Sequence, residues 1–277
     1  MQQVNQIKLF GKTLVLAMAL MFILCSVSFA TGLEFPYRKD YPNVPTISTE
    51  ALFKGNEAGK IIIVDVRSKI EYEVIHPTGA VHIPLSNKNF VKNVKTLVSK
   101  NPGKKIVSYC NGTTCLKSYK ATKKLLESGL SNCFAYDSGI PDWAFVYPEK
   151  TQLLGKTLSD PEKQLIPKSA FKKKCLPFDS FKSELGKKGG LAIDVRDHIQ
   201  RMDKIDGLEK AKAIPLDKFI PNFVFKKVHQ DKPLFIFDQV GKQVRWLEYY
   251  LVENGYSDYY FLAKGATSVL KTQKYKN

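Results

Sequence analysis

Two apolar runs about 130 residues apart close on the same tripeptide: Ile61-Ile62-Ile63-Val64-Asp65-Val66-Arg67 and Leu191-Ala192-Ile193-Asp194-Val195-Arg196. Further landmarks keep nearly the same offset. An Ile-Pro phrase follows each run, at Ile83-Pro84 and Ile214-Pro215, and then an apolar strand pattern, Ile106-Val107-Ser108-Tyr109 and Leu234-Phe235-Ile236-Phe237. A helical pattern ending in glycine comes next, at Gly129 and Gly255, and a last apolar run closes on Gly139 and Gly265. So regular a spacing indicates a tandem duplication with units of roughly 110 residues. Short β-rich runs alternating with glycine-ended helical segments predict an α/β fold, each unit a mainly parallel sheet flanked by helices. The expected organisation is a first domain over residues 45–150 and a second over 176–271. Residues 151–175, with Gly155, Pro161 and Pro167 among charged residues, read as the linker.

The N-terminus reads as a targeting segment. Lys8 and Lys12 precede an apolar stretch from Thr13 to Val27, no acidic residue occurs before Glu34, and Ser28-Phe29-Ala30 has a small-x-small pattern. Residues 1–30 are therefore expected to be a signal peptide, with the remainder periplasmic or secreted and membrane contact confined to that segment. The formal net charge of +17 comes from lysines scattered along the chain rather than interleaved with aromatics. That pattern argues against nucleic acid. It reads as a solvated basic surface or, functionally, as attraction of small anions and an acidic protein partner. Beyond Cys25 the cysteines are Cys110, Cys115, Cys133 and Cys175. They are too sparse for a stapled mini-fold and form no metal-type cluster with histidine, so no metal is expected. Cys133 sits in an apolar run and reads as inert core; Cys175, after three lysines, reads as exposed.

The chemistry concentrates where the second strand of the first unit ends. Lys105-Ile106-Val107-Ser108-Tyr109 leads to Cys110, then to Asn111-Gly112-Thr113-Thr114-Cys115-Leu116-Lys117-Ser118 and a helical pattern. Loops at the carboxyl ends of parallel strands carry the sites of such folds. A thiol at the mouth of this loop, with backbone N–H groups and a helix N-terminus around it, is favoured as the thiolate and can act as a nucleophile. Asn111, Gly112, Thr113 and Thr114 supply N–H groups and small side chains, and Gly112 permits a tight turn. Lys117 is expected to place a cation beside a bound anion, and Ser118 to hydrogen-bond within the loop or cap the helix. Cys115 has three readings: a passive residue, a resolving thiol, or a second sulfur acceptor. No Ser-His-Asp or Cys-His pair is identifiable from spacing.

The first unit resembles the rhodanese (sulfurtransferase) family in its tandem arrangement. The resemblance rests on Asp65-x-Arg67, Glu71-Tyr72, His76-x-x-Gly79-Ala80-x-His82-Ile83-Pro84, the strand ending in Cys110, and the closing Gly139 and Trp143. It implies that Cys110 takes sulfane sulfur from a small anionic donor, thiosulfate or a persulfide, and holds it as a persulfide. The sulfur then passes to a thiophilic acceptor, a thiol or cyanide, with no cofactor. It also implies supporting roles for Asp65 and Arg67 in fixing the loop, backbone hydrogen bonding for His76 and His82, and packing for Trp143. The second unit resembles a divergent copy with Asp238 in place of the cysteine; aspartate forms no persulfide, so that copy reads as non-catalytic. Usually the C-terminal unit of a tandem pair is the active one, and here the order is reversed. Sulfurtransferase relatives carry four residues between the cysteine and the following Arg or Lys, and relatives acting on larger oxyanions five. Here six, residues 111–116, separate Cys110 from Lys117. The alternatives are a cysteine enzyme acting on phosphate or arsenate, which the missing arginine at the loop's end opposes, and a non-catalytic sulfur carrier or adaptor.

Overall fold

Five consecutive residues of the first apolar run, Ile61–Asp65, form strand β1 and are buried on both faces. β-branched side chains suit such a pleated, fully covered position, and burial on both faces marks a parallel sheet sandwiched between helices. The computed structural model describes residues 34–274; the signal-peptide reading and Cys25 lie outside them. No helix of the described residues is long and apolar enough to cross a membrane.

Helix α1 (Thr49–Glu57) leads into β1, and α2 (Lys69–Val74) follows it. After α2 come β2 (Ile75–Pro77) and β3 (Val81–His82), then α3 (Phe90–Ser99) and β4 (Lys105–Tyr109). The half ends with α4 (Lys117–Glu127), β5 (Cys133–Tyr136) and α5 (Gly139–Val146). Its sheet runs β3-β1-β4-β5, with every pair parallel. Strands β6 (Thr151–Leu153) and β7 (Lys156–Thr157) are followed by α6 (Pro161–Gln164), α7 (Lys168–Lys174) and β8 (Cys175–Leu176). Then come α8 (Phe178–Lys187), β9 (Leu191–Asp194), β10 (Lys212–Ala213) and α9 (Leu216–Phe219). Strand β11 (Leu234–Phe237), α10 (Val244–Glu253), β12 (Tyr259–Leu262) and α11 (Gly265–Lys274) complete the chain. The second sheet runs β10-β9-β11-β12-β8, again all parallel. Its first four strands repeat the order of the first sheet.

The stretch read as a linker is largely built into the fold. Strand β6 pairs antiparallel with β2 and with β7, and Thr151 and Leu158 are buried. Cys175 pairs with Phe261 in the second sheet, so it is half-buried edge-strand chain rather than an exposed linker residue. One hydrophobic cluster contains Leu52, Ile63 and Trp143 of the first half and Ile193, Phe219 and Leu247 of the second.

The likeness of the two sheets extends to atomic detail. Gly139 has φ +66°, and a Cβ there would lie 2.5 Å from the Cys110 carbonyl; Gly265 has φ +61°, and its Cβ would lie 2.7 Å from the Asp238 carbonyl. The N–H groups of Ile140 and Ala266 donate to those same carbonyls at 3.0 and 2.9 Å. Only glycine permits both the positive φ and the close approach, so each half ties its last helix to its site loop in the same way.

At that pseudo-equivalent position the Asp238 carboxylate turns back into its own loop. It accepts backbone N–H groups from Val240 at 3.1 Å, Gln243 at 2.6 Å and Val244 at 3.3 Å, and one from Gly241. The second loop is thus filled by an anion of its own chain. Asp238→Ala leaves these donors without their acceptor in a fully buried position. A loss on the order of 3 kcal/mol is expected, read as a lower urea midpoint at unchanged slope.

Candidate functional site

Cys110 follows the last residue of β4 and is 1% exposed. Its sulfur is bonded to that of Cys115, with Cα atoms 6.2 Å apart. The loop makes the pairing locally. Gly112 has φ +103°, and the Cys115 N–H donates to the Gly112 carbonyl at 2.9 Å, closing a turn that folds Cys115 back onto Cys110. In this state the six-residue loop is folded back on Cys110 by that bond. Cys115 is half-buried. The N–H groups of Asn111, Gly112, Thr113 and Thr114 make no backbone pairing among the described residues.

A buried polar network holds the start of this loop. Arg67 is completely buried and grips the Asp65 carboxylate through Nε, at 3.0 and 3.1 Å, and through Nη2 at 2.6 Å. Nη2 also donates to the Ile75 carbonyl at 2.5 Å and to the Tyr109 hydroxyl at 3.2 Å, while that hydroxyl donates to Asp65. The remaining fork atom, Nη1, reaches the Asn111 side-chain oxygen at 3.1 Å. Asn111 in turn donates to Glu71. Burial opposes the Arg67 charge, but Tyr109 and the Asp65 carboxylate more than offset it, and its pKa lies above the ordinary arginine value. Burial pushes the Tyr109 hydroxyl well above its usual range.

Glu71 joins the network to the following helix. Its carboxylate accepts from the Ser68 N–H at 2.8 Å and hydroxyl at 2.6 Å, closing a capping box at the start of α2. Lys117 Nζ stands 3.8 Å from the same carboxylate. Burial pushes the Glu71 pKa up, but the Ser68 hydrogen bonds and the Lys117 and Arg67 charges win, and it lies below the usual carboxylate value. Lys117, expected to place a cation beside a bound anion, thus also faces this carboxylate across the loop. Ser118 makes neither of its expected contacts: Leu116 is the N-cap of α4 without a side-chain cap, and the buried Ser118 hydroxyl has no partner.

His76 Nδ1 lies 2.7 Å from the Tyr72 carbonyl and His82 Nε2 3.1 Å from the Arg67 carbonyl. The Trp143 indole N–H donates to the Lys150 carbonyl. Cys133 and Cys175 are unpaired, and burial pushes each thiol up to about 11. Among the described residues no group of His, Cys, Asp and Glu is placed to hold a metal ion.

Beside the loop opens a cleft of about 300 Å³ between the two halves. Glu71, Asn111 and Pro141 line one wall; Gly241, Lys242, Arg245 and Trp246 line the other, and Lys168, Phe171 and Lys172 of α7 close it. Four cations thus face one carboxylate that is already paired. Trp246 also stacks toward the buried guanidinium, with Arg67 Cζ 5.7 Å from its ring centre. A second cavity, about 420 Å³, is lined by Ser68, Lys69, Glu73, Asp197 and Asp217 among others, and no residue of the cysteine loop lines it. The cleft cations escaped the sequence reading. The signal was available: Lys242 lies in the loop after Asp238 and Arg245 in the first turn of α10, the segment that the spacing sets against the loop after Cys110.

Residues 48–145 match the family described as Rhodanese-like domain. Among curated proteins, the chain is 29% identical over 97 residues to the HTH-type transcriptional regulator Rv0324 of Mycobacterium tuberculosis, covering 35% of this chain and 40% of the relative. It is 35% identical over 81 residues to a tRNA uridine(34) hydroxylase of Cytophaga hutchinsonii, covering 29% of this chain and 25% of that protein. The matches span less than half the length of these relatives. Among solved structures, a thiosulfate sulfurtransferase from Pseudomonas aeruginosa aligns over 84% of this chain and 45% of its own, at 16% identity and a TM-score of 0.35. The BH2092 protein of Bacillus halodurans aligns over 45% of this chain and 88% of its own, at 24% identity and a TM-score of 0.36.

Proposed function

We propose, on the premise that residues 48–145 are a rhodanese-like domain, that the reduced chain transfers sulfane sulfur through a persulfide on Cys110. The observation that carries the reading is the position of Cys110, at the carboxyl end of β4, in a tethered loop beside a cleft lined by Lys168, Lys172, Lys242 and Arg245. The Cys110 thiolate attacks the outer sulfur of thiosulfate or a persulfide. The donor's inner group leaves as sulfite or a thiolate, and Cys110 keeps the sulfane sulfur. A thiol or cyanide then attacks that sulfur, and Cys110 departs as thiolate. Two displacements replace one difficult transfer. The loop N–H groups left free of backbone pairing suit the anionic donor and the persulfide anion, and the cleft cations draw the donor in.

The duplicated architecture fits a division of labour between two tandem units. The first supplies the cysteine. The second, its own loop filled by Asp238, supplies Lys242 and Arg245 to the shared cleft. An export signal over residues 1–30 belongs to the same reading, because a Cys110–Cys115 disulfide persists in an oxidising compartment.

Intact-mass spectrometry of the reduced Cys115→Ser variant after thiosulfate treatment tests the reading. A gain of about 32 mass units on Cys110, removed by cyanide as thiocyanate, is the expected result of persulfide chemistry. An unchanged mass with both thiosulfate and a low-molecular-weight persulfide would overturn it. Arg245→Ala is expected to raise KM for thiosulfate about threefold, with kcat little changed, because a half-exposed cation contributes to donor binding under solvent screening. Steady-state kinetics at low and high salt check this, and the difference should shrink as salt rises.

A further inference from the structure

We infer that Cys115 is a resolving thiol, and that the chain reduces the sulfane sulfur it accepts and releases it as sulfide. The inference rests on the persulfide reading of Cys110 and names the fate of the sulfur there. Cys115 attacks Sγ of the Cys110 persulfide, the bond from Sγ to the outer sulfur breaks, and hydrosulfide leaves. What remains is the Cys110–Cys115 disulfide that the structure contains. With thiosulfate as donor, the sum is two thiols plus thiosulfate giving one disulfide, sulfite and hydrogen sulfide. The sulfane sulfur gains two electrons, and the cysteine pair loses them.

Three observations carry this. The first is connectivity: the attack must end with Sγ of Cys115 bonded to Sγ of Cys110, and the loop holds that arrangement with its turn intact, the Cys115 N–H on the Gly112 carbonyl. A thiol carried by the same turn competes against an external acceptor with the advantage of an intramolecular reaction. The second is selectivity. Cys133, one strand away in β5, and Cys175 are unpaired, so the bond joins the candidate nucleophile to the one cysteine of its own loop. The third is the difference in access. Cys110 is 1% exposed and Cys115 half-buried. An external dithiol therefore meets the Cys115 sulfur first, and its thiolate displaces Cys110 as the leaving group. Its second thiol then frees Cys115, returning both cysteines to the reduced state. The six-residue loop, one longer than in relatives acting on larger oxyanions, gains a chemical reason: it delivers a second sulfur.

The test is a single turnover. Wild type, Cys115→Ser, Cys115→Ala and Cys110→Ser are reduced, freed of reductant without air, and mixed with thiosulfate in the absence of cyanide. Sulfide is assayed and intact mass recorded. Wild type is expected to release about one equivalent of sulfide and to end about two mass units lighter, the cross-link mapping to Cys110 and Cys115. The two Cys115 variants should retain the sulfur as a stable adduct and release less than about a tenth as much sulfide. Cys110→Ser should do neither. A wild-type persulfide that persists as it does in the Cys115 variants would overturn the resolving role while leaving sulfur transfer at Cys110 standing. Sulfur mapped onto Cys115 would overturn it in favour of an acceptor role. Cys115 variants that take up no sulfur would sink the persulfide reading and this inference together.

Discussion

Oxidised wild-type protein is expected to move no sulfur from thiosulfate to cyanide until its Cys110–Cys115 bond is reduced. Cys110→Ser should stay inactive in either redox state. The reason is electronic before it is steric. The nucleophile of a sulfur displacement is a thiolate, and a sulfur engaged in a disulfide has no charge to donate. Burial of Cys110 adds to this, since an anionic donor reaches only the loop's outer surface in this state. Serine at position 110 keeps the shape but replaces a group that ionises within reach of neutral pH by one that does not, so a loss of at least about a thousandfold in kcat/KM is expected. Cys115→Ser separates the two causes. It cannot form the disulfide, so with cyanide as acceptor it should work without prior reduction, and at least as fast as wild type assayed with reductant present, since no Cys115 thiol diverts its persulfide. Assays of the three proteins with and without a removable reductant check this. Full activity of wild type shown by mass to be oxidised would place the nucleophile elsewhere.

What the sequence made legible followed the alternation of β-rich and helical segments. The short β-rich runs ending at Asp65 and Asp194, alternating with glycine-ended helical segments, foretold mainly parallel sheets flanked by helices, because parallel strands and glycine-dependent close approaches leave marks that are local in sequence. The position of Cys110 at a strand end was legible for the same reason. What spacing could not reveal was pairing across the fold. That Lys117 has Glu71 as a neighbour, brought beside it by α2, shows only in the fold. Asp238 reads only as the absence of a nucleophile until its carboxylate is found turned inward onto four N–H groups. The linker looked irregular because β6 and β7 are only three and two residues long, too short to show an alternating pattern. Cys115 carried three readings because sequence separation alone does not fix whether two sulfurs meet; the turn at Gly112 does.

The two halves also supply a matched pair of variants that separates stability from positioning. Arg67 and Arg196 each grip the aspartate two residues earlier, with both nearly or fully buried. Arg67→Met and Arg196→Met each strand a buried carboxylate, so each is expected to cost about 3–5 kcal/mol, a large part of a typical domain's stability. The remaining guanidinium contacts differ. Arg196 Nη1 donates to the Gln200 and Asp203 carbonyls, whereas Arg67 Nη1 donates to Asn111, the residue after Cys110. Loss of that bond frees Asn111 between Glu71 and solvent and loosens the loop that aims the thiolate. At a temperature where both variants are folded, Arg67→Met should therefore lose about tenfold in kcat, since small misplacements of a nucleophile weigh heavily on rate, and Arg196→Met should keep it. Adding Asp65→Leu to Arg67→Met removes the stranded charge and should restore part of the lost stability. It cannot restore the hydrogen bond to Asn111, so kcat should stay low. Urea unfolding and steady-state kinetics on the same preparations decide the matter. Equal loss of kcat in both single variants, or its recovery along with stability in the double variant, would reduce Arg67 to a structural residue with no hold on the loop.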